Sequence, residues 1–249
     1  MNPILAGPLG IHCGNLILVN ACHPVRLETA EPCVPLPGSS VRLQQRAAAV
    51  LQHMLSNLGC SGQILPVSCY RRFAEQQQIW DDSMRNHGES FTRQYVALPG
   101  CSEHQTGLAI DLGLNEGEID FIRPNFPYGG VCQRFRKAAP QYGFIERYPS
   151  GKEAVTGIAH EAWHFRYVGV PHAQIMARRN MVLEEYIEYL KQFPQNGPHL
   201  VEACGSRPFE IYYLPAEQAG RHRQEDSSLY EISGNNVDGY IVTLWRHTV

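Results

Sequence analysis

One short stretch constrains this chain more than any other: Ser102-Glu103-His104-Gln105-Thr106-Gly107-Leu108-Ala109-Ile110-Asp111. It is answered further along by His160-Glu161-Ala162-Trp163-His164, followed by Phe165-Arg166. Together they supply two or three imidazoles, an aspartate and a spare glutamate. A catalytic zinc site needs three protein ligands, a position left for water, and a carboxylate to take the water's proton. The two segments contain that set, so they point to zinc-dependent hydrolysis.

The bulk properties remove other classes. A chain of 249 residues can bury one good core with a smaller appendage. Its net charge of −3 gives no clustered basic face, so no nucleic-acid partner is expected. The longest aliphatic run near the N-terminus, Leu16-Ile17-Leu18-Val19, is far short of the roughly 20 residues that span a bilayer. No basic region precedes it, so neither a membrane segment nor a secretory leader is expected. The eight cysteines form no CxxC and no zinc-finger spacing. Scattered cysteines of this kind read as small buried hydrophobes in a reducing compartment, which places the protein in the cytoplasm.

Along the chain, residues 1–40 are rich in Pro, Gly and Cys and read as an extended arm. Apolar spacing predicts a helix over 41–59, ended by Gly59. A strand is expected over 63–70, helices over 73–87 and 90–96, and a buried strand over 108–114. Residues 115–130 read as a loop, 131–142 as a helix, 143–148 as a strand and 163–168 as a strand rich in aromatic and β-branched residues. The strongest helical pattern covers 173–193. Residues 194–198 form a linker by composition, and strands follow at 209–214 and 240–245, with turn chemistry over 234–239.

Residues 160–164 are a literal HExxH, which in helical zinc peptidases sets both histidines on one helix face. Glu184, on the strong helix, is the third ligand that such a site would use. Local sequence opposes it: Thr156-Gly157 precede the motif and Phe165-Arg166-Tyr167-Val168-Gly169 follow, which leaves about one helical turn, too short to be stable. It also leaves 102–111 without a role. The alternative ligand set is His104, Asp111 and His164, with Glu161 as the spare carboxylate and His160 structural. In a regular strand residues 161 and 164 face opposite sides, so this set requires a bend or bulge near Ala162.

Ser-x-His-x-x-Gly-x-Ala-x-Asp followed by Glu-x-Trp-His resembles the D-alanyl-D-alanine peptidases of the VanY and VanXY type, a group that includes lysostaphin and the hedgehog signalling domain. Upstream, Ser68-Cys69-Tyr70-Arg71-Arg72-Phe73-Ala74-Glu75-Gln76 is similar to a third motif of that family, with Cys69 in place of the usual Gly. Ala162 stands where Pro is common. The resemblance implies that His104, Asp111 and His164 bind Zn2+, that Glu161 is the general base and acid, and that Arg71 stabilises the oxyanion. Ser102 and Gln76 are then candidates for holding substrate or orienting ligands. It also implies action on D-Ala-D-Ala and on peptidoglycan precursor peptides, in glycopeptide (vancomycin-type) resistance.

The expected fold is α+β: a central antiparallel sheet flanked by helices and holding the zinc site, plus a small C-terminal β appendage. The expected division is 1–40 arm, 41–195 catalytic domain and 196–249 appendage. The rival readings are an L,D-carboxypeptidase acting on tetrapeptide stems, and a zinc-containing binding module without catalysis. Glu161 argues against the latter, because a structural zinc site closes its four ligands and has no use for a spare carboxylate.

Overall fold

The structure is a computed structural model that describes residues 10–26, 32–204, 207–221 and 229–245. Its strands and helices run β1 Cys33–Pro35, β2 Arg42–Gln44, α1 Gln45–Asn57, β3 Ile64–Ser68, α2 Phe73–Tyr95, β4 Ala109–Leu114 and α3 Gly130–Ala138. They continue β5 Phe144–Tyr148, α4 Glu153–Thr156, β6 Glu161–Tyr167, α5 His172–Arg179 and α6 Leu183–Leu190. Strands β7 Leu200–Cys204, β8 Arg207–Pro215, β9 Tyr230–Gly234 and β10 Gly239–Trp245 close the chain. The fold is α+β, as expected.

The chain divides into two compact units, Val19–Val182 and a second that combines Met1–Leu18 with Leu183–Val249. This differs from the expected boundaries at 40 and 195. The reason is backbone pairing: Gly234 N–H donates to the Cys13 carbonyl, Asn236 N–H to Ile11, and Leu18 N–H to Asn235. The described part of the N-terminal segment up to Leu18 therefore belongs to the C-terminal sheet. Residues 1–9 and 27–31 of the expected arm lie outside the described residues. In this unit the sheet order is β7-β8-β10-β9, all antiparallel, over a core of Tyr212, Leu214, Tyr240 and Val242.

The larger unit is built on an antiparallel sheet of order β3-β4-β6-β5. Helix α1 lays Ala47, Leu51 and Met54 against Ile110, Leu112, Phe135, Phe144 and Phe165 to form its core. The helix starts at Gln45, later than its apolar pattern, because Arg42–Gln44 are taken by pairing with β1. Gln44 caps it, its side chain accepting from Ala47 N–H at 3.1 Å, and its own N–H donates to the Gly107 carbonyl at 2.8 Å. That second bond fixes the Ser102–Asp111 segment to the core.

Two helical expectations change. The helices at 73–87 and 90–96 meet as α2, with Gly88 (φ 81°) breaking the helical geometry between them. The predicted 173–193 helix is instead two, because Asn180 caps α5 in the left-handed region (φ 53°), which Asn tolerates better than most residues. Of the cysteines, Cys60, Cys69 and Cys132 are buried, but Cys22 is exposed and Cys13, Cys33 and Cys101 are half-buried. No helix among the described residues is long and apolar enough to cross a membrane.

Gly143 joins α3 to β5 with φ 80°, and a Cβ there would lie 2.9 Å from the Gly169 Cα. Gly143→Ala combines left-handed strain with a backbone clash, so it should cost about 3 kcal/mol of stability. Gly157, also left-handed (φ 72°), faces open space, and Gly157→Ala should cost only about 1 kcal/mol. Urea denaturation of the two variants checks this; equal losses would show that the close approach to Gly169 carries no weight.

Candidate metal centre and active-site cleft

Three strands bring the site together in one row. Asp111 on β4 pairs directly with His164 on β6, and Ser68 on β3 pairs with Asp111 from the other side. Cross-strand partners project to the same face, so Asp111 and His164 meet although far apart in sequence. His104 arrives on a short 3-10 turn, Glu103–Thr106, closed by Gly107 with φ 69°. Glycine, free of the Cβ penalty, turns the chain sharply into β4 there.

The donor atoms converge. His104 Nε2 lies 3.1 Å from Asp111 Oδ2, and His164 Nδ1 lies 2.9 Å from Asp111 Oδ1. All three residues are buried, and their ligand atoms fall within 4.8 Å of one another. For comparison, donors on a tetrahedral zinc are separated by about 3.3 Å, given bonds of roughly 2.0–2.1 Å. The tautomers also suit a metal. His104 Nδ1 is 2.6 Å from the Cys69 carbonyl, which only accepts, so Nδ1 carries the proton and Nε2 is left as a ligand. His164 directs Nε2 at the Glu103 carboxylate, 3.6 Å away, which leaves Nδ1 for the centre. Among the described residues neither Glu103 Oε2 nor His164 Nε2 has a hydrogen bond. The chemistry of the donor set, two neutral imidazole nitrogens and a carboxylate, fits zinc.

Glu161 completes the cluster, with Oε2 3.7 Å from His164 Nδ1. Its placement needs the expected bulge, and the register contains one. On β5, Glu146 pairs with Phe165 and Tyr148 pairs with Glu161, so β6 spends two extra residues across that interval. The regular alternation of β6 is broken between Glu161 and Phe165, and the Glu161 carboxylate lies on the His164 side. Burial pushes the Glu161 carboxyl up to about 8, with His164 opposing and Asp111 adding to the rise. A divalent ion beside it favours the ionised form.

Arg71 and Gln76 act as a pair. Arg71 donates to Gln76 Oε1 at 2.7 Å and to Ser68 Oγ at 2.8 Å, and lies 3.7 Å from Asp111 Oδ2. Gln76 donates onward to the Ala97 carbonyl at 2.7 Å, so its amide is spent on orienting the guanidinium. Ser102 precedes the 3-10 turn, but its side chain makes no capping bond. A cleft of about 250 Å³ is lined by Arg71, Gln76, Ser102, His104, Asp111, Glu161 and His164, together with Tyr148 and Trp163.

The HExxH reading does not survive. Glu161 to Tyr167 form strand β6, and a strand cannot present residues 160 and 164 as a helix does. His160 points elsewhere, its Nε2 2.6 Å from Tyr128 Oη. Glu184 lies in α6, in the other compact unit.

Three residues important to the site's construction have no expected role above. Glu103 accepts from Arg147 Nε at 2.8 Å and faces Arg166 Nη1 at 3.0 Å, and all three side chains are fully buried. Burial alone would raise the Glu103 carboxyl, but Arg147 and Arg166 hold it well below the usual range. The available signal was Arg166 itself, a charge inside the run Trp163 to Val168. An arginine there needs a buried carboxylate.

Three converging donor side chains with a further carboxylate and a guanidinium on one cleft match the arrangement of the class of hydrolytic metal sites that keep a position open. The comparisons narrow the class. Residues 40–170 match the family model described as VanY: D-alanyl-D-alanine carboxypeptidase. The chain is 41% identical over 181 residues to the bifunctional D-Ala-D-Ala dipeptidase and D-Ala-D-Ala carboxypeptidase VanXYC of Enterococcus gallinarum, covering 71% of this chain and 95% of that one. The crystal structure of the vancomycin resistance D,D-dipeptidase VanXYg, in complex with a D-Ala-D-Ala phosphinate analogue, superposes with a TM-score of 0.89 at 46% identity, over 95% of both chains. A mutant of the D,D-pentapeptidase VanY from the VanB-type resistance cassette, in complex with Zn(II), superposes with a TM-score of 0.57 at 28% identity, over 70% of this chain and 98% of that one. The protein belongs to the VanY family.

Two measurements test the centre. His104→Ala should abolish stoichiometric zinc binding, whereas His160→Ala should retain it; the reverse result would restore the helical motif. In the metal-free site burial disfavours a charged His164, but Asp111 and Glu103 outweigh it and raise its pKa to about 9. Near neutral pH that imidazole is therefore protonated, and an ion must displace the proton. Zinc affinity should fall as the pH drops below that value, with protons released on binding from His164 and from Glu161, whose raised carboxyl a dication would also ionise. Calorimetry in buffers of different ionisation heat reads the proton count, and a count of zero near neutral pH would show that neither group holds a proton in the metal-free site.

Proposed function

We propose that the protein is a zinc-dependent D,D-peptidase that splits D-Ala-D-Ala and removes the terminal D-Ala from peptidoglycan pentapeptide precursors. In this reading it acts in the cytoplasm and depletes the precursor terminus that glycopeptide antibiotics of the vancomycin type bind. The observation that carries the proposal is the Glu161 carboxylate, set beside His164 Nδ1 by the β6 bulge and facing the same cleft as Arg71.

His104, Asp111 and His164 would hold the zinc, which when bound supplies a Lewis acid and an acidified water. Glu161 takes the proton of the attacking water and returns it to the leaving amine, so one carboxylate serves as base and then acid. Arg71 is aimed by Ser68 and Gln76 before substrate arrives, and it donates to the oxygen on which charge develops. Preorganised donors of this kind contribute about 3 kcal/mol to a barrier.

The charge balance suits the substrate class. Three buried carboxylates, Glu103, Asp111 and Glu161, are set against three guanidiniums, Arg71, Arg147 and Arg166. Among these six the charges cancel, so a dication leaves the centre net positive. Such a site favours a peptide that carries its own terminal carboxylate close to the scissile bond, as D-Ala-D-Ala does.

The test is D-alanine release from D-Ala-D-Ala and from a UDP-linked muramyl pentapeptide, each with and without chelator. Chelator-sensitive release from both is expected. Release from the pentapeptide alone would reduce the activity to a carboxypeptidase, and release only from a tetrapeptide would replace it with the L,D reading. Glu161→Gln should lower kcat by about 10²–10⁴ with zinc retained. Arg71→Ala should lower kcat by about 10²–10³.

A further inference from the structure

Behind the sheet from the cleft, one guanidinium is saturated with partners. Arg136, on α3, donates through Nε to Glu146 Oε2 at 2.6 Å. Nη1 reaches the Pro127 carbonyl at 3.3 Å and Gln133 Oε1 at 3.2 Å. Nη2 reaches the Phe126 carbonyl at 3.2 Å and the Ala162 carbonyl at 2.9 Å. An arginine has five N–H donors in a rigid fork, and here each has an acceptor. The guanidinium also lies over the Tyr128 ring, 3.9 Å from its centroid, and the Tyr128 hydroxyl donates to Glu146 and contacts His160.

The Ala162 bond matters most, because Ala162 lies in the β6 bulge. Within that bulge the strand spends its two extra residues between Glu161 and Phe165, so its backbone loses regular pairing with β5 there. A carbonyl taken out of a sheet ladder needs another donor. Arg136 supplies it, and the same fork is anchored to β5 through Glu146, across from Phe165. The guanidinium thus spans the interval that the bulge opens. A straightened strand would return residue 161 to the face opposite His164.

We propose that Arg136 is the positioning residue that holds the β6 bulge and thereby aims the Glu161 carboxylate at the metal centre. The inference rests on the reading of Glu161 as the general base. It also gives His160, with Tyr128, a role behind the bulge in place of metal ligation. Lysine cannot replace the fork: it can keep the ion pair with Glu146, but one ammonium cannot also reach the loop carbonyls and Ala162 in the same geometry.

The experiment uses the full chain loaded with zinc, and compares Arg136→Gln, Glu161→Gln and the double variant for kcat, KM, zinc affinity and zinc content. Displacement of a catalytic group by about 1 Å can cost around 10²-fold. Arg136→Gln should therefore lower kcat about 100-fold, on that scale, with KM within about twofold and zinc binding unchanged. Against Glu161→Gln it should cause no additional loss, because both act through one carboxylate. An unchanged kcat in Arg136→Gln, or the same fold loss in both backgrounds, overturns the proposal and leaves Glu161 as the base. Full activity in Glu161→Gln overturns the reading of the base and the proposal with it. Arg136→Lys preserves the charge pair and serves where the Gln variant does not fold. It should lose about 10-fold in kcat, again with zinc binding and KM retained, and undiminished kcat in it also overturns the proposal.

Discussion

The buried ion cluster of Glu103, Arg147 and Arg166 is the contact on which the rest of the site depends. Three fully buried charges are costly unless each is satisfied, and removing one partner strands the others. The cluster joins three elements that share no local sequence: the 3-10 turn carrying His104, strand β5, and strand β6 carrying His164. It also sets the Glu103 carboxylate behind His164 Nε2, which orients that ring with Nδ1 toward Asp111. At 3.6 Å the carboxylate acts on that ring through its charge and not through a hydrogen bond. A hydrophobic substitute of equal volume could fill the same space, but it could not choose the ring's orientation.

A second constraint is the conflict between strand periodicity and chemistry. His164 must face Asp111 across the sheet, and Glu161, three positions earlier, must face the same way. A regular strand forbids this. The fold resolves the conflict with a bulge on β6 and a compensating irregularity at Val67 on β3, where Pro66 and Ser68 pair with the adjacent residues Leu112 and Asp111. Bulges re-aim side chains next to active sites, and here both flank the Asp111–His164 pair. The β3 irregularity places Ser68 beside Asp111, where its hydroxyl accepts from Arg71. The positions of both Glu161 and Arg71 therefore follow departures from ideal pairing.

These facts explain what could be read from the residues and what could not. The strands around Asp111 and His164 were legible because apolar and β-branched runs mark buried strands whatever lies beside them. Even the bend at Ala162 followed from strand parity once Glu161 and His164 were assigned to one site. The charged cluster was only partly legible: Arg166 stands out as a charge inside the run Trp163 to Val168, but nothing marks Arg147 as buried, and Glu103 stood hidden between Ser102 and His104. Gln76 was read as a substrate contact or a group that orients the site, and its bonds to Arg71 and Ala97 show an amide occupied in orientation. The break at Asn180 was missed because the apolar spacing continues across it, and periodicity carries no information about a single left-handed residue. The pairing of residues 11–18 with β9 and the turn after it was missed for a different reason: backbone hydrogen bonds between distant segments leave no trace in composition.

The literal HExxH shows how a motif can be correct in letters and wrong in geometry. Its meaning depends on a helix, since only the 3.6-residue period puts positions four apart on one face at metal-binding distance. In a strand the same five letters separate into two neighbourhoods. Glu161 and His164 turn into the cleft through the bulge, while His160 stays behind with Tyr128 and Glu146. The strand itself is set outside the motif, by the pairing of β6 with β4 and β5. Within that strand Arg136 bonds the Ala162 carbonyl where the regular pairing lapses.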